Sequence, residues 1–176
     1  ARVVVLGGGV GGTLVANLLD KELGRDAHVT VVDPTGMHDY QPGYLYVALG
    51  EAKGHWLSRE ERTLLRPDVD LAIEKAVRIH PDAGTVQLER GGSLDWDYLV
   101  VATGSRLVPE QIPGLVEGAF EFYSLDGAER LAQELHRFDG GRLKVGIAGI
   151  PYKCPPAPVE FTFMVAAQSS ATAAVM

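Results

Sequence analysis

A chain of 176 residues, 46% hydrophobic and 22% charged, is long enough for one domain with a real core, or for one domain and part of another. Its formal net charge of −7 offers no basic face to a nucleic-acid partner. A single cysteine excludes an internal disulfide and suits a reducing compartment, or a thiol whose partner lies elsewhere.

The first residues, Ala1-Arg2-Val3-Val4-Val5, run straight into glycines with no small-residue cleavage site, so no signal peptide is expected. Arg2 to Leu6 reads as a buried strand. The run Gly7-Gly8-Gly9-Val10-Gly11-Gly12 follows. From Thr13 to Leu23 the pattern is helical, with Leu14, Leu18 and Leu19 on one side and Gly24 as the stop. His28 to Val32 reads as a second buried strand ending at Asp33. Strand, glycine turn, helix and strand make a βαβ unit.

Pro34 to Gly54 is loop-like and carries Tyr40, Tyr44 and Tyr46. Arg59 to Arg66 reads as a short helix before Pro67. Leu71 to Ile79, Thr85 to Glu89 and Ser93 to Trp96 alternate as strands joined at Pro81-Asp82-Ala83-Gly84 and Gly91-Gly92. Tyr98 to Ala102 is another buried strand, ending at Thr103-Gly104. A linker is expected at Pro109 to Gly114. An amphipathic helix over Leu125 to Phe138 presents Leu125, Ala128, Leu131, Ala132 and Leu135 on one face, with Ser124 or Asp126 as its cap. Leu143 to Ala148 reads as one more buried strand, and Val159 to Met176 as an apolar helix. No stretch is long and apolar enough to span a bilayer.

The spacing Gly7-x-Gly9-x-x-Gly12, between a strand and a helix, carries a specific chemistry. Gly7 permits the tight turn, Gly9 admits a pyrophosphate to the backbone, and Gly12 lets helix and strand pack closely. The free N–H groups at the helix start, including those of Val10 and Gly11, face negative oxygens. Asp33 arrives about twenty residues later, where a carboxylate accepts from ribose hydroxyls. The motif points to a dinucleotide and does not choose between FAD and NAD. His28, His38, His55, His80 and His136 show no metal-ligand spacing, and no metal site is expected.

The three-strand meander leading to Leu99-Val100-Val101-Ala102-Thr103-Gly104 resembles the flavoprotein reductases with two dinucleotide domains. Within them the chain is most similar to the sulfide:quinone oxidoreductase and flavocytochrome c sulfide dehydrogenase family. The resemblance rests on Tyr40-Gln41-Pro42-Gly43, on Phe122-Tyr123-Ser124-Leu125, and above all on Tyr152-Lys153-Cys154-Pro155-Pro156-Ala157-Pro158-Val159-Glu160. It covers the whole chain but only the N-terminal portion of the family's length. The glutathione-reductase branch is disfavoured, because it places a CxxxxC pair soon after the first βαβ unit.

That resemblance implies FAD as cofactor. Gly7, Gly8, Gly9, Val10, Gly11, Gly12 and Asp33 would hold its adenosine diphosphate. Thr103 and Gly104 would lie near the flavin nucleotide, Val77 would offer its backbone to the adenine, and Pro42 would stand beside the ring. Cys154 would hold sulfur as a persulfide or act as a thiolate on the flavin, and Glu160 would move protons. The implied partners are sulfide and a quinone, with peripheral attachment to the cytoplasmic face of a membrane through regions absent here. Homo-oligomerisation is left open. The family's second redox cysteine lies further on than this chain extends. Two alternatives stand beside this reading: a flavin-dependent NADH:quinone reductase, and a non-catalytic FAD-binding fragment.

The expected fold is α/β: a doubly wound, Rossmann-like FAD-binding domain with a parallel sheet and a β-meander over 1–108, then the truncated start of a second such domain over 109–176. The boundary is expected between Arg106 and Gly118.

Overall fold

The structure is a computed structural model that describes the backbone of residues 1–174 and the side chains of residues 1–168. In chain order its elements are β1 (Arg2–Leu6), α1 (Val10–Leu23), β2 (His28–Asp33), β3 (Met37–Asp39), α2 (Tyr44–Ala48), β4 (Ser58–Glu60), β5 (Asp70–Ile73), β6 (Ala76–His80), β7 (Thr85–Leu88), β8 (Ser93–Asp95), β9 (Tyr98–Val101), α3 (Leu115–Gly118), α4 (Leu125–Arg137) and α5 (Ala157–Ala174). They fall into two compact units. One comprises residues 1–39 and 58–106, the other residues 40–57 and 107–176.

The first unit is built on a parallel four-stranded sheet in the order β5-β2-β1-β9. Val3, Val4, Val5 and Leu6 of β1 are at most 4% exposed, because a central parallel strand is covered on both faces. One face packs Val3, Val5, Val29 and Val31 with Ala16, Leu65 and Val69; the other packs Val4, Leu6 and Val32 with Val86 and Leu88 of the meander. The meander β6-β7-β8 is antiparallel, and β3 pairs with β4 as a separate short ribbon. Parallel register aligns Leu6 with Val32 and with Val101. The loops after β1, β2 and β9 therefore emerge at one end of the sheet, where open α/β folds receive their ligands.

Several expectations need correction. The run Leu71 to Ile79 is two strands in two sheets, since β5 joins the parallel sheet and β6 begins the meander. Arg59 to Arg66 is no helix; it is the end of β4 followed by a 3₁₀ turn over Glu61–Thr63. The loop from Pro34 contains the helix α2, whose Tyr44, Leu45, Val47 and Ala48 are buried.

The face assigned to α1 is right at Leu19, which packs on the core, and wrong at Leu14 and Leu18. Leu14 is 56% and Leu18 47% exposed, while Gly12, Thr13, Ala16 and Asp20 are buried. At its start the helix lies so close to the turn after β1 that a Cβ on Gly12 would collide with the Gly7 carbonyl. Close approach overrides hydrophobic periodicity here.

The second unit has its core around α2, α4 and α5, with Tyr44, Leu45, Val47, Ala48 and Leu49 packed with Ala128, Leu131 and Phe161. Ser124 is the cap of α4 and accepts from the Gly127 amide at 3.0 Å. Glu121 in turn accepts from the Ser124 amide at 3.0 Å and from its hydroxyl at 2.5 Å. Leu143 to Ala148 forms no strand among the described residues and is mostly exposed, with Val145 alone packing on the core cluster. A strand needs an edge to pair with, and the described residues of this unit offer it none. The last two residues of the apolar helix expected over Val159 to Met176 lie outside the described residues. Among the described residues, no helix is long and apolar enough to cross a membrane.

Candidate functional site

The glycine turn has a sealed back and an open front. Gly7 has φ +103°, a conformation that L side chains rarely adopt, and a Cβ there would collide with the Ala102 carbonyl. Gly8 and Gly12 are buried. Gly9, Val10 and Gly11 are exposed, and a Cβ on Gly9 or Gly11 would meet nothing within 4 Å. Gly9 stands at the N-cap of α1 with no side-chain cap. The first-turn N–H groups of the helix therefore open onto free space with the positive end of the helix dipole behind them.

Asp33, at the end of β2, is bound into this turn. Its Oδ2 accepts from the Gly8 amide at 2.9 Å. Its Oδ1 accepts from the Thr35 amide at 2.9 Å, the Thr35 hydroxyl at 2.8 Å and the Gly36 amide at 2.9 Å. Burial alone would raise the carboxyl pKa. The donors from Gly8, Thr35 and Gly36 outweigh it and leave Asp33 below its ordinary value, and so ionised. The Ala102 amide donates to the Leu6 carbonyl at 2.8 Å, which sets the chain at Thr103 against Gly7. Gly104 follows with φ +69°. The first unit thus brings together Gly7 to Gly12, Asp33 and Thr103.

Val77 lies elsewhere in the same unit, on β6. The pairing with β7 shifts register between Ala76 and Arg78, so Val77 falls at a bulge and is left out of the register.

Beneath the turn is a cluster that sequence reading missed. Glu61 is fully buried. Its Oε1 lies 2.5 Å from the Thr13 hydroxyl and its Oε2 lies 3.0 Å from Nδ1 of His38. The same Nδ1 is 3.0 Å from the Gly8 carbonyl, which only accepts, so Nδ1 carries a proton. The charged run Arg59-Glu60-Glu61-Arg62 reads as a solvated face, and nothing in it marks one carboxylate as buried. The one available signal is Thr13, a hydroxyl directly after the glycines.

The second unit holds Pro42, Cys154 and Glu160. Pro42 is exposed, in a 3₁₀ turn over Gln41–Gly43 that leads into α2. Lys153 donates from Nζ to the Gln41 side chain, which ties the cysteine loop to that turn. Cys154 is exposed and has φ +53°, a left-handed conformation uncommon for a residue with a Cβ. Its carbonyl accepts from the Ala157 amide at 3.0 Å at the start of α5. Tyr123, stacked on Phe122 at 5.0 Å between ring centroids, buries a hydroxyl with no partner among the described residues. Burial first, then the negative charges of Cys154 and Tyr152, push its pKa up. Glu160 is exposed in the first turn of α5, and its carboxylate makes no hydrogen bond among the described residues.

Residues 1–149 match the family described as Pyridine nucleotide-disulphide oxidoreductase. The mitochondrial sulfide:quinone oxidoreductase of Mus musculus is 28% identical over 169 residues, covering 93% of this chain and 37% of that protein. An alternative NAD(P)H-ubiquinone oxidoreductase of Arabidopsis thaliana is 29% identical over 175 residues, covering 86% of this chain and 34% of that protein. Among solved structures, the sulfide:quinone oxidoreductase of Aquifex aeolicus superposes with a TM-score of 0.68 at 30% identity, over 77% of this chain and 32% of that one. The chain spans about a third of the length of these curated relatives.

Proposed function

Since the chain belongs to the pyridine nucleotide-disulphide oxidoreductase family, we propose that it forms the N-terminal portion of an FAD-dependent oxidoreductase that oxidises sulfide at Cys154 and passes the electrons to a quinone. The residues fit the cofactor. The front of the turn at Gly9 and Gly11 has room for a diphosphate, and the first-turn amides of α1 supply its donors. Asp33 is ionised at the strand end and suited to the ribose hydroxyls, while Thr103 borders the turn and Gly104 follows it. Val77 at its bulge supports a backbone contact to the adenine. When bound, FAD supplies a two-electron acceptor.

The observation that carries the sulfur reading is Cys154. It is an exposed thiol in a left-handed backbone conformation, on a loop tied by Lys153 to the Gln41-Pro42-Gly43 turn. Strain of this kind concentrates at functional sites. Cys154 would bond the sulfur of sulfide as a persulfide: Cys–S⁻ and HS⁻ give Cys–S–S⁻ with release of one proton and of the two electrons that the flavin, when bound, would accept. Glu160, open to solvent in the first turn of α5, would exchange that proton with water. Attachment to a membrane is peripheral in this reading, and the quinone is met there.

The test is anaerobic addition of sulfide to the FAD-loaded protein. Wild type should lose its oxidised-flavin absorbance, and Cys154→Ser should keep FAD bound yet fail to bleach. Bleaching by NADH and not by sulfide, unchanged in Cys154→Ser, would favour an NADH:quinone reductase. That second reading is supported by the similarity to the Arabidopsis NAD(P)H-ubiquinone oxidoreductase.

A further inference from the structure

The Gly8 peptide is gripped from both ends by a closed ring of hydrogen bonds. Its amide donates to Asp33 Oδ2 at 2.9 Å. Its carbonyl lies 3.0 Å from the protonated Nδ1 of His38 and 3.1 Å from the Thr13 hydroxyl. Both of those groups reach Glu61, through Oε2 at 3.0 Å and Oε1 at 2.5 Å. The Glu61 amide donates to the Gly36 carbonyl at 2.8 Å, and the Gly36 amide returns to Asp33 Oδ1 at 2.9 Å. The Thr13 hydroxyl also lies 2.9 Å from the Gly9 carbonyl.

A buried carboxylate is costly and persists only where every lone pair is used. Burying Glu61 completely to support one turn needs a reason beyond packing. The electrostatics of the turn supply it. A peptide at the front of the helix can present either its N–H or its C=O to an anion, and a carbonyl oxygen there repels a phosphate. The His38 N–H on the buried side holds the Gly8 carbonyl away from the open front, and the Thr13 amide, donating at 2.9 Å, holds the Gly9 carbonyl along α1. The first-turn amides of α1, from Val10 on, are then the groups that remain for the phosphate oxygens, already oriented before it arrives.

We propose that Thr13, His38 and Glu61 are positioning residues for the nucleotide diphosphate: the Thr13 hydroxyl donates to Glu61, Glu61 so fixed steadies the His38 ring, and the His38 Nδ1–H holds the Gly8 carbonyl away from the open front of the turn. The role rests on the FAD reading above and assigns a purpose to three residues on the buried side of the turn. Thr13 is the cleanest probe, because valine keeps its β-branched shape and lacks the hydroxyl, whereas serine keeps the hydroxyl.

The experiment measures FAD affinity by flavin fluorescence in the protein expressed from its natural reading frame, and hydrogen–deuterium exchange of the Gly7–Gly12 peptide without nucleotide. Thr13→Val should weaken FAD at least tenfold and speed exchange in that peptide, and Thr13→Ser should return affinity to within about threefold of wild type. Glu61→Gln, which turns one acceptor into a donor facing the Thr13 hydroxyl or His38, should repeat the Thr13→Val result. Wild-type affinity and exchange in both Thr13→Val and Glu61→Gln, with FAD bound normally, would overturn the positioning role and leave the FAD reading standing. Equal losses in Thr13→Ser and Thr13→Val would also overturn it, because the hydroxyl would then not be the cause. A wild-type protein that retains no flavin overturns both readings.

Discussion

The Asp33 carboxylate accepts the Gly8 amide at 2.9 Å, so the acid at the end of β2 is a structural part of the turn after β1 before any nucleotide is bound. The lowered pKa of Asp33 makes that bond a pH-dependent contribution to stability. A carboxylate with a depressed folded-state pKa stabilises above the unfolded value of about 3.9 and ceases to do so as pH falls through its folded value. Asp33→Asn should cost about 1.5–3 kcal/mol near neutral pH, the range for a hydrogen bond to a charged group. The gap from wild type should hold between pH 5 and pH 8, roughly, and shrink below about pH 4. Denaturant unfolding of both proteins across pH measures it; a gap that widens in acid would contradict the ionised assignment.

Gly9 and Gly12 should separate binding from folding. Alanine at Gly12 drives a methyl into the Gly7 carbonyl, so Gly12→Ala should unfold the first unit or lower its stability by more than about 3 kcal/mol. Alanine at Gly9 meets nothing within 4 Å on a backbone at φ −78°. Gly9→Ala should stay within about 0.5 kcal/mol of wild type in stability. It should nevertheless weaken FAD at least tenfold, since its methyl occupies the space left for the diphosphate. Thermal melts beside flavin titrations check both, and a Gly9→Ala protein that binds FAD normally would place the diphosphate elsewhere.

The left-handed backbone at Cys154 has its own signature. Glycine adopts φ +53° without the Cβ penalty of about 1–2 kcal/mol. Cys154→Gly should therefore be more stable than Cys154→Ala by about 1 kcal/mol, although both remove the thiol. Parallel denaturant titrations decide this, and an alanine variant as stable as the glycine one would show the loop relaxing once sulfur is gone.

The buried Tyr123 hydroxyl has no partner among the described residues. Removing an unpaired buried polar atom while keeping the ring should help, so Tyr123→Phe should gain about 1 kcal/mol. A loss of stability instead would mean that the hydroxyl is hydrogen-bonded in solution, and the first group to test as its partner is the Cys154 thiol.

Ser124 caps α4 by accepting from Gly127 and is itself held by Glu121. Ser124→Ala should cost about 1 kcal/mol, and Ser124→Asp should recover little of it, because Glu121 faces the new carboxylate. Melting temperatures of the two variants check the order.

The parallel strands, the glycine turn with its terminal acid, the meander and the face of α4 were all legible in the chain, because each is written in local pattern: β-branched runs, glycine spacing, alternation and a 3.6-residue stripe. The places of Leu14 and Leu18 on α1, the split of the run from Leu71 to Ile79, the fate of Leu143 to Ala148 and the Thr13–His38–Glu61 cluster were not. Each depends on what a distant segment brings to it. Gly12 is needed on α1 because the Gly7 carbonyl lies where a Cβ would stand, a strand exists only where a partner edge is present, and Glu61 is buried because Gly36, His38 and Thr13 close around it. Local sequence determined which backbone shapes were available; burial and partner geometry decided which side chains they enclosed.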